Sequence, residues 1–133
     1  MTHLLDANVL IALTVAEHEH HERAAVWLAN AGNFAVCPIV EGALVRFVLR
    51  IGERPATARL LLERIAEHPR CEFWADGLSY LDVPLHELRG HRQVTDAYLV
   101  ALATRHGARL ATFDRALATA QPDAVELIAS ERD

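Results

Sequence analysis

Four acidic residues lie within apolar segments of the sequence, whereas most of its 18 acidic residues have polar neighbours. Asp6 interrupts the segment Leu-Leu-Asp-Ala-Asn-Val-Leu-Ile, and Asp114 directly follows Leu-Ala-Thr-Phe. Glu41 and Asp96 each precede apolar residues three, four and seven positions later, which share a helix face with them. A carboxylate in such surroundings is unfavourable unless arginine side chains or bound cations compensate its charge. Because magnesium and manganese prefer carboxylate oxygens, the four residues together indicate a metal site.

Each of these acids also has a structural explanation when it is taken alone. Asp96 could be an acidic residue at the start of a helix, where negative charge is favourable. Asp114 could cap the helix that follows it, and Asp6 could be a turn residue with Asn8 as the N-cap. Glu41 is the hardest to explain in this way because apolar residues surround it. The hypothesis of a metal site therefore depends on the set of four and not on any single member.

Strands and helices alternate along the chain, and they must position the four carboxylates. A short strand ends at Leu5, and further strands are predicted over 34–37, 71–74, 109–112 and 125–128. Helices are predicted over 9–13, 20–31, 38–51, 55–68 and 115–120, over 95–106 with Thr95 as N-cap, and a helical turn over 84–88. This alternation is typical of an α/β fold with a mostly parallel sheet and helices on both faces. Ligands bind beyond the carboxyl ends of such strands, where Asp6 and Asp114 are expected.

The composition suits one globular domain that spans the whole chain, residues 1–133, of which 52% are apolar. No apolar run approaches the ~20 residues that a membrane span requires. The apolar segment over 4–16 contains Asp6 and follows no basic residue, which argues against a signal peptide. Cys37 and Cys71 form no CxxC motif, so we expect a reducing, cytoplasmic location. The net charge of −5 disfavours non-specific binding to nucleic acid, although bound cations would reverse the sign of an acidic cleft.

Four segments, in this order, resemble the PIN-domain family and, within it, the VapC-type toxins of bacterial toxin–antitoxin pairs. They are LLDANVLI at 4–11, PIVE at 38–41, TDAYLVALA at 95–103 and LATFD at 110–114. Each motif is common alone, but the ordered set spans nearly the whole chain and is specific. The resemblance implies a single α/β/α sandwich around a mostly parallel sheet of about five strands. It also implies that the four carboxylates hold one or two Mg²⁺ or Mn²⁺ ions, and that Asn8 and Thr112 support the site by hydrogen bonding.

The activity that this resemblance implies is that of a metal-dependent endoribonuclease. Such a protein cleaves cellular RNA, forms a homodimer and is blocked by a cognate antitoxin. A metal-bound water attacks the phosphorus, and this hydrolysis would leave a 5′-phosphate and a 3′-hydroxyl. Asp6, Asp96 and Asp114 are the expected ligands, and Glu41 either binds metal or orients the water.

Two other functions remain open at this point, a catalytically idle PIN module that acts by protein binding and a DNA-directed nuclease. The basic side chains are all arginine. Each could be solvated or paired with a surface acid, but five are candidates for phosphate contact, namely Arg46, Arg50, Arg89, Arg92 and Arg115. The apolar residues over 44–51 and 60–65 either belong to the core or form part of a groove for an antitoxin helix.

Overall fold

Five parallel strands form one sheet in the computed structural model, which describes residues 1–129. The strands are β1 (His3–Leu5), β2 (Phe34–Val36), β3 (Cys71–Phe73), β4 (Arg109–Thr112) and β5 (Val125–Leu127). The helices are α1 (Ala7–Thr14), α2 (His21–Asn30), α3 (Pro38–Arg50), α4 (Pro55–Ala66), α5 (Val94–Arg105) and α6 (Arg115–Ala120). Short 3-10 turns between β3 and α5 are formed by Tyr80–Asp82, Leu85–Glu87 and His91–Gln93. The predicted α/β fold with a mostly parallel sheet of about five strands is confirmed.

The strand order, β3-β2-β1-β4-β5, reverses the direction of winding between β1 and β4. All four strand pairs are parallel. Right-handed crossovers then place α1 to α4 on one face of the sheet and α5 and α6 on the other. The helices that follow β1 and β4 therefore diverge, and a crevice opens beyond the carboxyl ends of these two strands.

The central strands are apolar because helices cover both faces of the sheet. Leu4 and Leu5 of β1 and Leu110 and Ala111 of β4 are fully inaccessible to solvent. The other large side chains that are fully buried come mainly from the covering helices and include Val9, Leu10, Val40, Leu44, Leu99 and Leu102. The residues that directly follow β1 and β4 thus extend from a rigid, close-packed base.

Proline and glycine residues define the helices that carry two of the predicted site residues. α3 begins with Pro38, whose missing N–H costs no hydrogen bond at the first helical position. It is followed by Gly52 with a φ of 89°, and α5 is followed by Gly107 with a φ of 65°. Glycine adopts these left-handed conformations without the strain of a Cβ atom. Glu41 and Asp96 consequently lie in the first turns of two well-defined helices.

The predicted boundaries agree with the observed ones to within two residues. The strand over 109–112 and the helix over 115–120 match in full. Among residues 1–129, no helix has the length and apolar character needed to cross a membrane.

One predicted helix cap is wrong, and a second cap that was considered as an alternative is not formed. Thr95 is not the N-cap of α5, because a 3-10 turn leads directly into the helix, which begins at Val94 with Gln93 in the cap position. Asn8 is not the N-cap of α1, because Asp6 occupies that position and its side chain accepts a hydrogen bond from the first helical N–H. Asn8 instead lies exposed in the first turn.

Candidate active site

Asp6 is a buried carboxylate at the switch point of the sheet, with only 9% of its surface exposed. Its backbone N–H donates to the carbonyl of Ala111 at 3.0 Å, which ties the end of β1 to β4. One carboxylate oxygen accepts from the Ala7 N–H at 2.8 Å and the other from the Thr112 hydroxyl at 2.7 Å. Burial raises the pKa of Asp6, while these two hydrogen bonds lower it and the charge of Asp114 raises it further. The side chain is therefore held in one orientation, in surroundings that disfavour its charge.

Thr112 joins the two acidic residues that follow β1 and β4. It is 1% exposed, and its hydroxyl donates to Asp6 while accepting from the backbone N–H of Asp114 at 3.1 Å. A threonine hydroxyl has one proton to donate and two lone pairs, so these two contacts use its only proton and one lone pair and fix the direction of the O–H bond. Thr112 thus supports Asp6, although a catalytic consequence of this contact remains a prediction.

Asp96 reaches the same crevice from the first turn of α5. It is half-buried, and its carboxylate accepts no hydrogen bond from any residue of the described range 1–129. Burial, together with the charges of Asp6 and Asp114, raises the pKa of Asp96 to about 6. The three aspartates are therefore close enough for their charges to act on one another, and we call them the aspartate cluster. A bound cation would relieve their mutual repulsion.

Asp114 lies at the exposed rim of this cluster, between β4 and α6. One of its carboxylate oxygens accepts from the Leu117 N–H at 3.1 Å, so the residue caps α6. The structural explanation is correct for this residue, but it does not exclude a ligand role, because the second oxygen accepts no hydrogen bond within residues 1–129.

Glu41 was expected to join the three aspartates, but the charged residue that acts on it is Asp76. Glu41 is half-buried in α3, and its pKa is raised by burial and then by the charge of Asp76. No contribution from the three clustered aspartates is present among the causes of this shift. The four predicted carboxylates therefore divide into a cluster of three and a neighbouring pair, Glu41 with Asp76.

Asp76 is an acidic residue of this region that the sequence prediction missed. It lies exposed in the loop after β3, and its charge also raises the pKa of Cys37 and of Tyr98. It therefore lies at the same carboxyl edge of the sheet, between α3 and α5. The signal that could have identified it is positional, since Asp76 follows a predicted strand just as Asp6 and Asp114 do.

The chemistry of these donors fits a divalent cation, although their spacing is not that of a closed ligand set. Within residues 1–129, no group of three or more His, Cys, Asp or Glu side chains is arranged to hold an ion directly. Mg²⁺ usually binds through one or two carboxylates and keeps several of its waters. Carboxylates that repel one another but do not surround an ion suit a Mg²⁺ ion that keeps several of its waters.

The candidate arginines are distributed over several surfaces. Arg89 lines a groove together with Asp96 and Asp114. The other four are exposed on helix surfaces or next to a helix start, Arg46, Arg50, Arg92 and Arg115. Asn8, which the resemblance gave a supporting role, makes no hydrogen bond through its side chain within residues 1–129.

The two cysteines do not supply a nucleophile. Burial raises the pKa of both the Cys37 and the Cys71 thiol to about 11. The reactive form of cysteine is the thiolate, which is scarce at neutral pH when the pKa is so high. Hydrolytic chemistry at this edge of the sheet is left to the carboxylates.

A family model described as PIN domain matches residues 3–121 of this chain. The chain belongs to the PIN-domain family. It is 52% identical over 129 residues to Ribonuclease VapC29 of Mycobacterium tuberculosis (strain ATCC 25618 / H37Rv), an alignment that covers 96% of this chain and 97% of the relative. The prediction of a VapC-type endoribonuclease of the PIN-domain family is therefore confirmed.

Solved structures show the same PIN fold at low sequence identity. VapC20 of Mycobacterium tuberculosis, described as a Sarcin-Ricin loop cleaving toxin, superposes with a TM-score of 0.68 at 14% identity and covers 90% of this chain and 95% of its own. A toxin–antitoxin complex from Klebsiella pneumoniae gives a TM-score of 0.69 at 17% identity and covers 96% and 98%. PIN-domain ribonucleases generally depend on a divalent metal, which agrees with the carboxylate cluster of this chain.

Proposed function

We propose that this chain acts as a single-domain ribonuclease toxin that cleaves bacterial RNA with Mg²⁺ or Mn²⁺. Asp6, Asp96 and Asp114 would hold the ion. The observation that carries this assignment is the Asp96 carboxylate, which is half-buried and makes no hydrogen bond within residues 1–129. Burial, and then the charges of two other carboxylates, raise its pKa. Such an arrangement costs folding free energy in the absence of a cation, so a structural role alone does not explain it.

The protein groups have distinct tasks in the proposed hydrolysis. Asp6, Asp96 and Asp114 would hold the ion, which would supply Lewis acidity to activate a water and positive charge to offset that of the phosphate. Asp6, fixed by the hydrogen bond from Thr112, would provide the rigid ligand. Glu41, whose pKa is raised by burial, is suited to accept the proton of the attacking water. Attack on phosphorus with cleavage of the bond to the 3′-oxygen gives a 5′-phosphate and a 3′-hydroxyl.

An antitoxin is the expected protein partner, and the surface of α3 and α4 is its proposed docking site. Part of the apolar segment predicted for this role is core, since Leu44 and Val48 are buried. Three other large apolar side chains of this region remain 45 to 53% exposed, Leu49, Ile51 and Leu60. The similar Klebsiella protein is described as part of a toxin–antitoxin complex. We propose that the toxin is a cytoplasmic homodimer when it is not bound to the antitoxin.

The proposal is tested by incubating the purified, antitoxin-free protein with total bacterial RNA. One arm contains Mg²⁺ or Mn²⁺ and the other a chelator, and the termini of the products are mapped. Asp96→Asn is the test variant, and Asp123→Asn is the matched control because Asp123 is exposed in a turn outside the cluster. We expect discrete metal-dependent cuts by the wild type and the control, and none by Asp96→Asn.

Two results would contradict the proposal. Equal cleavage by folded Asp96→Asn would remove the cluster from the chemistry. Absence of cleavage by the folded wild type with either metal would favour an idle protein-binding module. A parallel panel of single- and double-stranded DNA identifies a DNA-directed nuclease if DNA is cut faster than RNA.

A further inference from the structure

A groove of about 1050 Å³ extends away from the aspartate cluster between α5 and α6. Asp96 and Asp114 line it at the starts of the two helices, and Arg105 and Gln121 line it at their ends. Its floor is made by small or apolar residues such as Ala101, which leave space between the helices. We call this feature the α5–α6 groove. It is continuous with the candidate active site because the same two aspartates belong to both.

Arg105 and Arg89 are the two cationic side chains that line the α5–α6 groove. Both are exposed, and neither guanidinium makes a hydrogen bond or ion pair within residues 1–129. Other arginines serve the fold: Arg70 donates to three backbone carbonyls, and Arg109 donates to Glu126 and to two carbonyls. The two groove arginines therefore have no structural partner that explains them.

The charges are separated along the groove. Asp96 and Arg105 are nine positions apart on α5, which corresponds to about 14 Å at the rise of an α-helix. Asp82 and Glu87 also line the groove, both on the segment that leads into α5, so Arg89 has acidic residues near it in sequence. Arg105 is the cationic lining residue at the end of α5 away from Asp96. One end thus suits a phosphate held through cations, the middle suits uncharged groups, and the far end suits a second phosphate bound directly.

We propose that the α5–α6 groove holds the stretch of single-stranded RNA adjacent to the cut, with Arg105 as a phosphate-binding positioning residue and Arg89 as a second contact at the mouth. This inference rests on the proposed ribonuclease function. Arginine binds phosphate in a bidentate manner, and single-stranded RNA binds in grooves that follow its backbone. Small side chains such as Ala101 allow riboses and bases to approach the helix surface between the two phosphates.

The test uses a synthetic oligoribonucleotide that spans a cut site mapped in the total-RNA experiment. We measure kcat and KM at several salt concentrations for the wild type, Arg105→Gln and Arg59→Gln. Arg59 is the matched control because it is exposed on α4, where it pairs with Glu63 at 3.0 Å. For Arg105→Gln we expect KM to rise about tenfold with kcat changed less than twofold, as for the loss of one charge-assisted contact. The slope of log KM against log salt should fall by about 0.7, the value for one phosphate contact on a single strand.

A second variant separates RNA from a protein occupant. Ala101→Trp fills the floor of the groove, so it should raise KM while the oligomeric state in analytical ultracentrifugation stays that of the wild type. Loss of the dimer in Ala101→Trp would show that a second copy of the chain occupies the groove and would overturn the inference. If the wild type cleaves the oligoribonucleotide and Arg105→Gln has the same KM and salt slope as the wild type, the groove inference is also overturned. Absence of cleavage by the wild type would instead refute the proposed function, and the groove inference with it.

Discussion

Replacing Asp96 with asparagine is expected to stabilise the metal-free protein while abolishing cleavage. The Asp96 carboxylate is half-buried, and its pKa is raised to about 6 by burial and by the charges of Asp6 and Asp114. Asparagine has nearly the same shape and no charge, so it removes the repulsion and part of the desolvation cost. A residue retained only for structure would give the opposite result, a loss of stability on substitution.

The magnitude follows from the pKa of Asp96. A folded-state pKa of about 6 against an ordinary value of 3.8 corresponds to about 3 kcal/mol of unfavourable free energy at neutral pH. Partial exposure to solvent reduces this figure, and the loss of a negative charge at a helix start offsets a further 0.3–1 kcal/mol or so. The net stabilisation at pH 7.5 is therefore about 1–2 kcal/mol. For a chain of this size the melting temperature should rise by about 3–6 °C.

The pH dependence of the unfolding free energy separately tests whether the Asp96 charge is destabilising. Because the folded-state pKa of Asp96 is raised, the folded protein binds the proton more tightly than the unfolded chain does. Stability of the metal-free wild type is thus highest below about pH 4 with respect to this group and decreases as pH rises through about 6. Asp96→Asn should lack this decrease, so the two stability curves should converge in acid.

Urea unfolding followed by circular dichroism, in chelator from pH 4 to 8, measures these differences. Asp123→Asn serves as the control, since it changes net charge equally from an exposed position. Addition of Mg²⁺ should stabilise the wild type more than Asp96→Asn, because a ligand that binds only the folded state adds to its stability. The reasoning is refuted if Asp96→Asn is less stable than the wild type at pH 7.5 in chelator, with the control unchanged.

Substitutions at three further positions test the supports of the site. Thr112→Val should destabilise the protein by about 1–3 kcal/mol in urea unfolding and reduce cleavage, because the Asp6 carboxylate loses a buried hydrogen bond. Thr112→Ser keeps the hydroxyl, so its stability and its cleavage activity should match those of the wild type. Asp114→Asn should abolish cleavage with little change in stability, since asparagine can still accept from Leu117, while Asp114→Ala should also lose about 1 kcal/mol with the cap. Leu110→Ala should cost about 3 kcal/mol of unfolding free energy by leaving a cavity in a fully buried position, and equal stability to the wild type would contradict the described core.

Local signals were sufficient to predict the elements of this fold. β4 and α6 matched in full because Gly107 ends the preceding helix and Asp114 caps the following one. α3 was placed correctly because Pro38 and Gly52 mark its start and end. Proline and glycine act through their own backbone conformations, so their effect on a helix boundary can be predicted from the residue type alone. Thr95 was wrongly predicted as the cap of α5 because the 3-10 turn that leads into the helix depends on the path of the whole segment after β3.

The composition of the site was less predictable because it depends on which strands are neighbours. Periodicity indicated that Glu41 faces other residues of the core, but not that the charge of Asp76, after burial, raises its pKa. That pairing follows from the position of β3 beside β2 at one edge of the sheet, and the strand order is set by long-range packing. Asp6 and Asp114, which follow the two central strands, could be placed together from the parallel fold alone.

The structural and chemical explanations of the aspartates prove to be complementary. Asp114 caps a helix as its sequence position suggested, and Asp6 caps one in place of Asn8, yet each cap uses one carboxylate oxygen. A cap needs only an acceptor, which serine, threonine or asparagine would supply without charge repulsion. The use of charged aspartate at both caps, with Asp96 added beside them and its pKa raised to about 6, therefore requires a second reason. The proposed binding of a divalent cation would supply it, because the same diverging helix starts that need acceptors also open the crevice in which the ion would be held.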